Sequence, residues 1–171
     1  MDVITSITPS GGLYHQTIYE IATRTNGICG FEPDHLIYLL TTYFDNVDMP
    51  YTVYSVNVPV SGNGSISLPS FTPSCTYDCI FWPTMTIQDH GPLDTYRATK
   101  LTLKNILHND THYVGDDSDI AYETIRLNDA YLLPNISYEI TLDYEYSNSQ
   151  TQILQIRIFS QSSIDYWLPY D

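Results

Sequence analysis

The chain has 171 residues, enough for one well-buried core and short for two, since a domain usually takes roughly 100 to 150 residues. Six Lys and Arg stand against 20 Asp and Glu, giving a net charge of −14 although only 15% of residues are charged. So few cations cannot neutralise a phosphate backbone, and no run approaches the roughly 20 apolar residues of a spanning helix, so nucleic acid and membrane insertion leave the list of expected partners.

Ser, Thr, Asn and Gln must cover most of the exterior, and 16 tyrosines suit such a surface, each with an apolar ring and a polar tip. Residues 1–9 read as a short strand or arm. Leu13, Ile18, Ile21 and Ala22 then recur at near-helical spacing up to a stop at Asn26-Gly27, and Glu32-Pro33-Asp34 opens a second helix with Leu36, Ile37, Leu40, Tyr43 and Phe44 as its apolar stripe. With Arg24 as its only Lys or Arg, this pair is not expected to read DNA; it is expected to pack on a sheet or cover its end. Met1-Asp2 begins no basic and apolar leader, so no secretory signal is expected, and the chain is placed in the cytoplasm of the producing cell or in a virion.

From residue 49 the texture is β, giving one domain over 1–171 with a helical segment at 1–48 and a sandwich body at 49–171. Thr52–Val58 alternates, Ser61-Gly62-Asn63-Gly64 marks a turn, and Ser65–Leu68 completes an expected hairpin. Residues 79–88 form the next strand, in which Pro83 implies a bulge or an edge position. Residues 96–107 alternate as a strand, although Arg97, Lys100, Lys104 and His108 would also align on a helix. Residues 108–119 read as a polar loop, and Tyr122–Leu127 as a strand. Ile136 to Tyr146 alternates through Tyr138, Ile140, Leu142 and Tyr144, Ser147–Gln150 turns the chain, and Leu154, Ile156 and Ile158 share one face of the return strand, so a hairpin is expected here too. Seven runs, at Tyr54, Ser65, Ile80, Leu101, Ile125, Tyr138 and Ile156, predict a mainly β fold: an antiparallel β-sandwich, with a jelly roll among its forms, preceded by two α-helices.

Leu132, Pro134 and Tyr138, with the alternating strand that follows, make Leu132–Leu142 similar to the corner segment of fibronectin type III domains. The resemblance covers eleven residues and implies that Tyr138 lies at the corner between two sheets and bonds a backbone group upstream.

Chemistry is sparser. His108, Asp110, His112, Asp116, Asp117 and Asp119, with Gly115 to let the backbone wrap, could ligate a divalent ion, and calcium suits this donor set best. The spacing matches neither an EF-hand nor a helical zinc motif, and a solvated metal-free loop is the plainer alternative; no other cofactor is expected. Cys75 and Cys79 form a local disulfide or two half-buried thiols, and with Cys29 the count is odd, as in a reducing compartment or a sparsely bridged protein. Asn63-Gly64-Ser65, Asn109-Asp110-Thr111 and Asn135-Ile136-Ser137 are formal glycosylation sequons, read at this level as chance matches. Trp82 and the terminal Tyr166, Trp167 and Tyr170 could stack on sugar rings or dock on a neighbour, with an assembly contact favoured for the tail. The expectation is a non-enzymatic structural or interaction protein that self-assembles or joins protein partners, a viral capsid or virion-surface component. The alternative is a carbohydrate-binding sandwich module that takes glycans, with or without calcium.

Overall fold

Wherever apolar and polar side chains alternate over seven or more residues, the backbone runs as a long strand. The computed structural model describes residues 5–7, 21, 24, 29–31, 51–75, 79–86, 95–115, 124–126, 129–162 and 168. Among them are β1 (Thr5–Ile7), β2 (Cys29–Phe31), β3 (Tyr51–Val60), β4 (Asn63–Phe71), β5 (Ile80–Thr86), β6 (Tyr96–Asn105), β7 (Asp110–Val114), β8 (Thr124–Arg126), β9 (Ala130–Tyr131), β10 (Tyr138–Tyr146) and β11 (Gln152–Ser160). All seven expected runs are strands. The two helices expected within residues 10–48 fall outside the described residues, apart from Ile21 and Arg24.

The body is two antiparallel sheets. One has the order β4-β10-β6-β7; the other has β3-β11-β5, with β8 and β9 both on the far side of β5. β1 and β2 form a separate parallel pair. The ladders nest: β6 pairs β7 at the centre, β5 pairs β8 and β9 around it, then β4 pairs β10 and β3 pairs β11. The body is therefore one long double-stranded ribbon that folds over itself, and the inner faces of the two sheets enclose the core.

This arrangement overturns both expected hairpins. β3 and β4 lie in different sheets, and so do β10 and β11, so residues 61–62 and 147–151 are arches that cross between the layers. The physical reason is that alternation defines an inward face without naming the pairing partner. Tyr138, Ile140 and Leu142 on β10 and Leu154, Ile156 and Ile158 on β11 are all buried in the one core, which they fill from the two sheets. The arches lie side by side and are bonded to each other: Tyr146 N–H donates to Gly62 O at 2.8 Å and Ser61 Oγ to Ser149 O at 2.8 Å.

Two further expectations change. Asp110–Val114, read as loop, is a strand, and its polar composition hid it because only Val114 is fully buried. Gly115 ends that strand at φ 83°, where a Cβ would lie 2.5 Å from the Thr99 carbonyl oxygen, so the position requires glycine. Pro83 sits in an interior strand and not at an edge, paired with Ile158 of β11. On its other side the ladder skips it: β9 pairs Ile80 and Phe81, β8 pairs Thr84 to Thr86, and the missing N–H of proline falls in the gap.

Residues 96–105 are a strand and not a helix, and the reason is the outer face of the sheet. Lys100 registers with Asp143 and Lys104 with Glu139, so β6 supplies two cations against the carboxylates of β10. On β11, by contrast, both faces are buried: Gln155, Arg157 and Phe159 are as inaccessible as the core residues between them.

Candidate functional site

The nested topology gives the sandwich two unlike ends. The arches and the start of β6 meet at one, where Ser147 N–H also donates to Thr95 O at 2.7 Å. At the other, the corner end, lie residues 72–75 and 79, the β6–β7 turn, residues 131–138 and the end of β11.

The corner end is held by a network around Tyr138. This side chain is fully buried, its hydroxyl accepts the Leu133 N–H at 2.9 Å, and it donates to Asp110 Oδ2. The other Asp110 oxygen lies 3.1 Å from His112 Nε2, close enough for an ion pair when the imidazole is protonated but not aligned for a hydrogen bond. Burial raises the Tyr138 phenol from 10.0 to about 12; the Asp110 hydrogen bond and charge add to this and the Leu133 bond opposes it. Asn105, buried at the end of β6, extends the network: its Nδ2 donates to Ser137 O at 3.0 Å and its Oδ1 accepts the His108 N–H at 3.1 Å. Leu132 N–H donates to Cys79 O at 3.0 Å and Asn135 N–H to Pro73 O at 2.8 Å, which tie the corner to the loop closed by a Cys75–Cys79 disulfide with Cα atoms 5.7 Å apart. Residues 73–75, 79, 105–112 and 132–138 therefore form one braced unit.

This placement redistributes the expected metal ligands. Asp110 and His112 come together, but both Asp110 oxygens face Tyr138 and His112; His108 is in the exposed β6–β7 turn. Asp116, Asp117 and Asp119 lie outside the described residues, and among the described ones no three His, Cys, Asp or Glu side chains are grouped to hold a metal. Trp82 is half-buried against Phe159 with Ile80, and its indole N–H donates to Asp129 Oδ1 at 3.2 Å, so its ring is engaged in packing. Tyr166, Trp167 and Tyr170 also lie outside the described residues, although Leu168 from the same tail is half-buried. Among the described residues no helix is long and apolar enough to cross a membrane.

Sequence reasoning did not find the concave feature of this end. Between the start of β3, the end of β4 and the end of β11 is a cavity of about 390 Å³. Tyr54, Phe71 and Phe81 form its apolar wall, with ring centroids 6.0 Å apart for Tyr54–Phe71 and 5.4 Å for Phe71–Phe81, both edge-on. Ser55, Ser70, Thr72, Ser74, Ser160 and Ser162 line the rest, with the Ser160 hydroxyl accepting the Ser162 N–H at 3.1 Å, and Leu168 contributes from the tail. Tyr54 donates to Pro69 O at 2.9 Å, which fixes the ring across the two sheets, and burial raises its phenol to about 12. Among the described residues no charged side chain belongs to this lining. The serines come from three separate segments, so only the folded chain gathers them.

The fold and site define a two-sheet antiparallel β-sandwich with a braced end and a neutral, hydroxyl-lined cavity. The chain belongs to the family described as Domain of unknown function (DUF7154), which matches residues 56–161, from within β3 to just past β11. The family unit is thus the sandwich itself. Comparisons with curated proteins and with solved structures give no match.

Proposed function

We propose that this chain is a non-enzymatic binding domain of jelly-roll type whose ligand is an uncharged carbohydrate held in the corner-end cavity. The strand orders β3-β11-β5-β8 and β4-β10-β6-β7, with β6–β7 as the innermost hairpin, support the jelly-roll reading. The observation that carries the ligand is the cavity lining: six Ser and Thr residues, aromatic walls for the apolar faces of a sugar, and, among the described residues, no charge to favour an ionic ligand. The direct experiment is a glycan array probed with the full chain, followed by calorimetry on any sugar retained. Ser70→Trp at the exposed rim is expected to block that binding while leaving the thermal midpoint unchanged. An array with no saturable binding, or equal binding by the Trp variant, overturns the proposal. A calcium-dependent form of this reading would lose its binding on chelation.

A second reading, self-assembly as a capsid or virion subunit, draws on the β6–β7 turn. Ile106 and Leu107 are 64% and 88% exposed there, on a tip fixed by Asn105. At −14 per chain, copies repel one another, so association through this tip should strengthen as salt screens the charge. Sedimentation velocity is expected to show larger species at high ionic strength that disappear in Ile106→Asp/Leu107→Asp; a monomer at every salt and protein concentration rejects this reading.

A further inference from the structure

We propose, against the cytoplasmic placement and the chance reading of the sequons expected from the sequence, that the folded chain carries N-linked glycans at Asn63, Asn109 and Asn135, and so matures in an oxidising secretory compartment. Two independent observations support this.

The first is which asparagines are exposed. Among the described residues there are six: Asn57, Asn63, Asn105, Asn109, Asn135 and Asn148. Asn63, Asn109 and Asn135 are exposed, and these are the three followed by Ser or Thr two positions on, at Ser65, Thr111 and Ser137. The other three are partly or fully buried, and none is in a sequon; Asn57 Oδ1 accepts from Arg157 and Asn105 bonds Ser137 O. A chance scatter of sequons would not sort in this way with exposure.

Two of the sites lie in turns and the third at the start of an edge strand. Asn109 closes the β6–β7 turn at φ 51° and Asn135 sits in the turn before β10 at φ 58°, left-handed positions that asparagine tolerates better than most residues. Asn63 begins β4, one of the two edge strands of its sheet. A glycan there would stand beside an open ladder of backbone groups and oppose pairing with another chain.

The second observation is the Cys75–Cys79 disulfide. Such a bond persists where the surroundings are oxidising and is rare where cellular thiols keep cysteines reduced. Asparagine-linked transfer takes place in that same kind of lumen, so the bridge and the exposed sequons point to one route. This inference does not depend on the carbohydrate reading of the cavity, because an attached glycan is covalent and a ligand is not.

The test uses the full chain purified from its own source. Treatment with an amidase that removes N-linked glycans is expected to raise its gel mobility and to leave Asp in place of Asn at positions 63, 109 and 135, as read by peptide mass spectrometry run in heavy-oxygen water. Asn63→Gln, Asn109→Gln and Asn135→Gln should each remove one step of the mobility shift. An intact mass equal to that of the bare sequence, with all three asparagines unmodified, overturns the proposal, and so does a native chain with Cys75 and Cys79 as free thiols. Cavity binding by the amidase-treated chain reports on the separate ligand reading.

Discussion

Replacing Arg157 by Ala is expected to lower the stability of the sandwich by about 3–5 kcal/mol, a large share of the roughly 5–15 kcal/mol that a domain has in total. Arg157 is fully buried on β11, on the face of the sheet opposite the core. Its guanidinium Nη1 donates to Val56 O at 3.1 Å and Ile156 O at 2.9 Å, and its Nη2 donates to Asn57 Oδ1 at 2.9 Å. Arginine keeps its charge at any ordinary pH, so these acceptors are what makes the buried cation tolerable. Truncation to Ala would open a cavity and leave the acceptors unsatisfied. Arg157→Met keeps much of the volume and loses only the bonds, so it should fall between wild type and Ala, by about 1–3 kcal/mol. Urea unfolding read as a shift in midpoint at constant slope checks the order. An Ala variant within about 0.5 kcal/mol of wild type, the usual range for a surface substitution, would show that this face is open to solvent.

Tyr138→Phe should cost about 1–3 kcal/mol, because the Leu133 N–H loses its acceptor inside the corner and Asp110 loses a donor. The same residue gives a test in pH. The phenols of Tyr138 and Tyr54 are both raised from 10.0 to about 12, chiefly by burial. Between those values the unfolded chain has released protons that the folded chain still holds, so unfolding is favoured as pH rises. Stability contributed by the two neutral phenols is therefore complete below pH 10 and is lost progressively from 10 to 12. In Tyr138→Phe one of the two contributions is absent, and the alkaline fall should be shallower although the protein starts less stable. Parallel alkaline slopes for the two proteins would mean that the Tyr138 hydroxyl is not held as described.

The corner illustrates how much of a site a local segment can reveal. Leu132–Leu142 pointed to a tyrosine between two sheets, because a five-residue return from Tyr138 to Leu133 is set by the segment itself. Asp110 and His112 were singled out as ligands for an ion from their short spacing in a stretch read as loop, and the strand that sets them side by side came only with the structure. Their attachment to Tyr138 was not legible either, since it joins β7 to β10 across the intervening β6. The cavity was hidden for the same reason: scattered serines have no periodicity, and only the meeting of β3, β4 and β11 at one end turns them into a lining.

By itself the sequence determined where the long strands of the body run and which of their faces are apolar, because side-chain alternation follows from the two-residue repeat of the extended backbone. It also marked the connections at 61–64 and 147–150, the first with Gly62 at a positive φ. The partners of each strand were decided only by tertiary structure. An apolar face is buried equally well by a neighbour in the same sheet or by a strand in the opposite one, so the patterns of β10 and β11 allow a hairpin and an arch alike. The choice fell to ladders between segments about 70 to 100 residues apart, β4 with β10 and β3 with β11, and those ladders place the braced corner and the cavity at the same end.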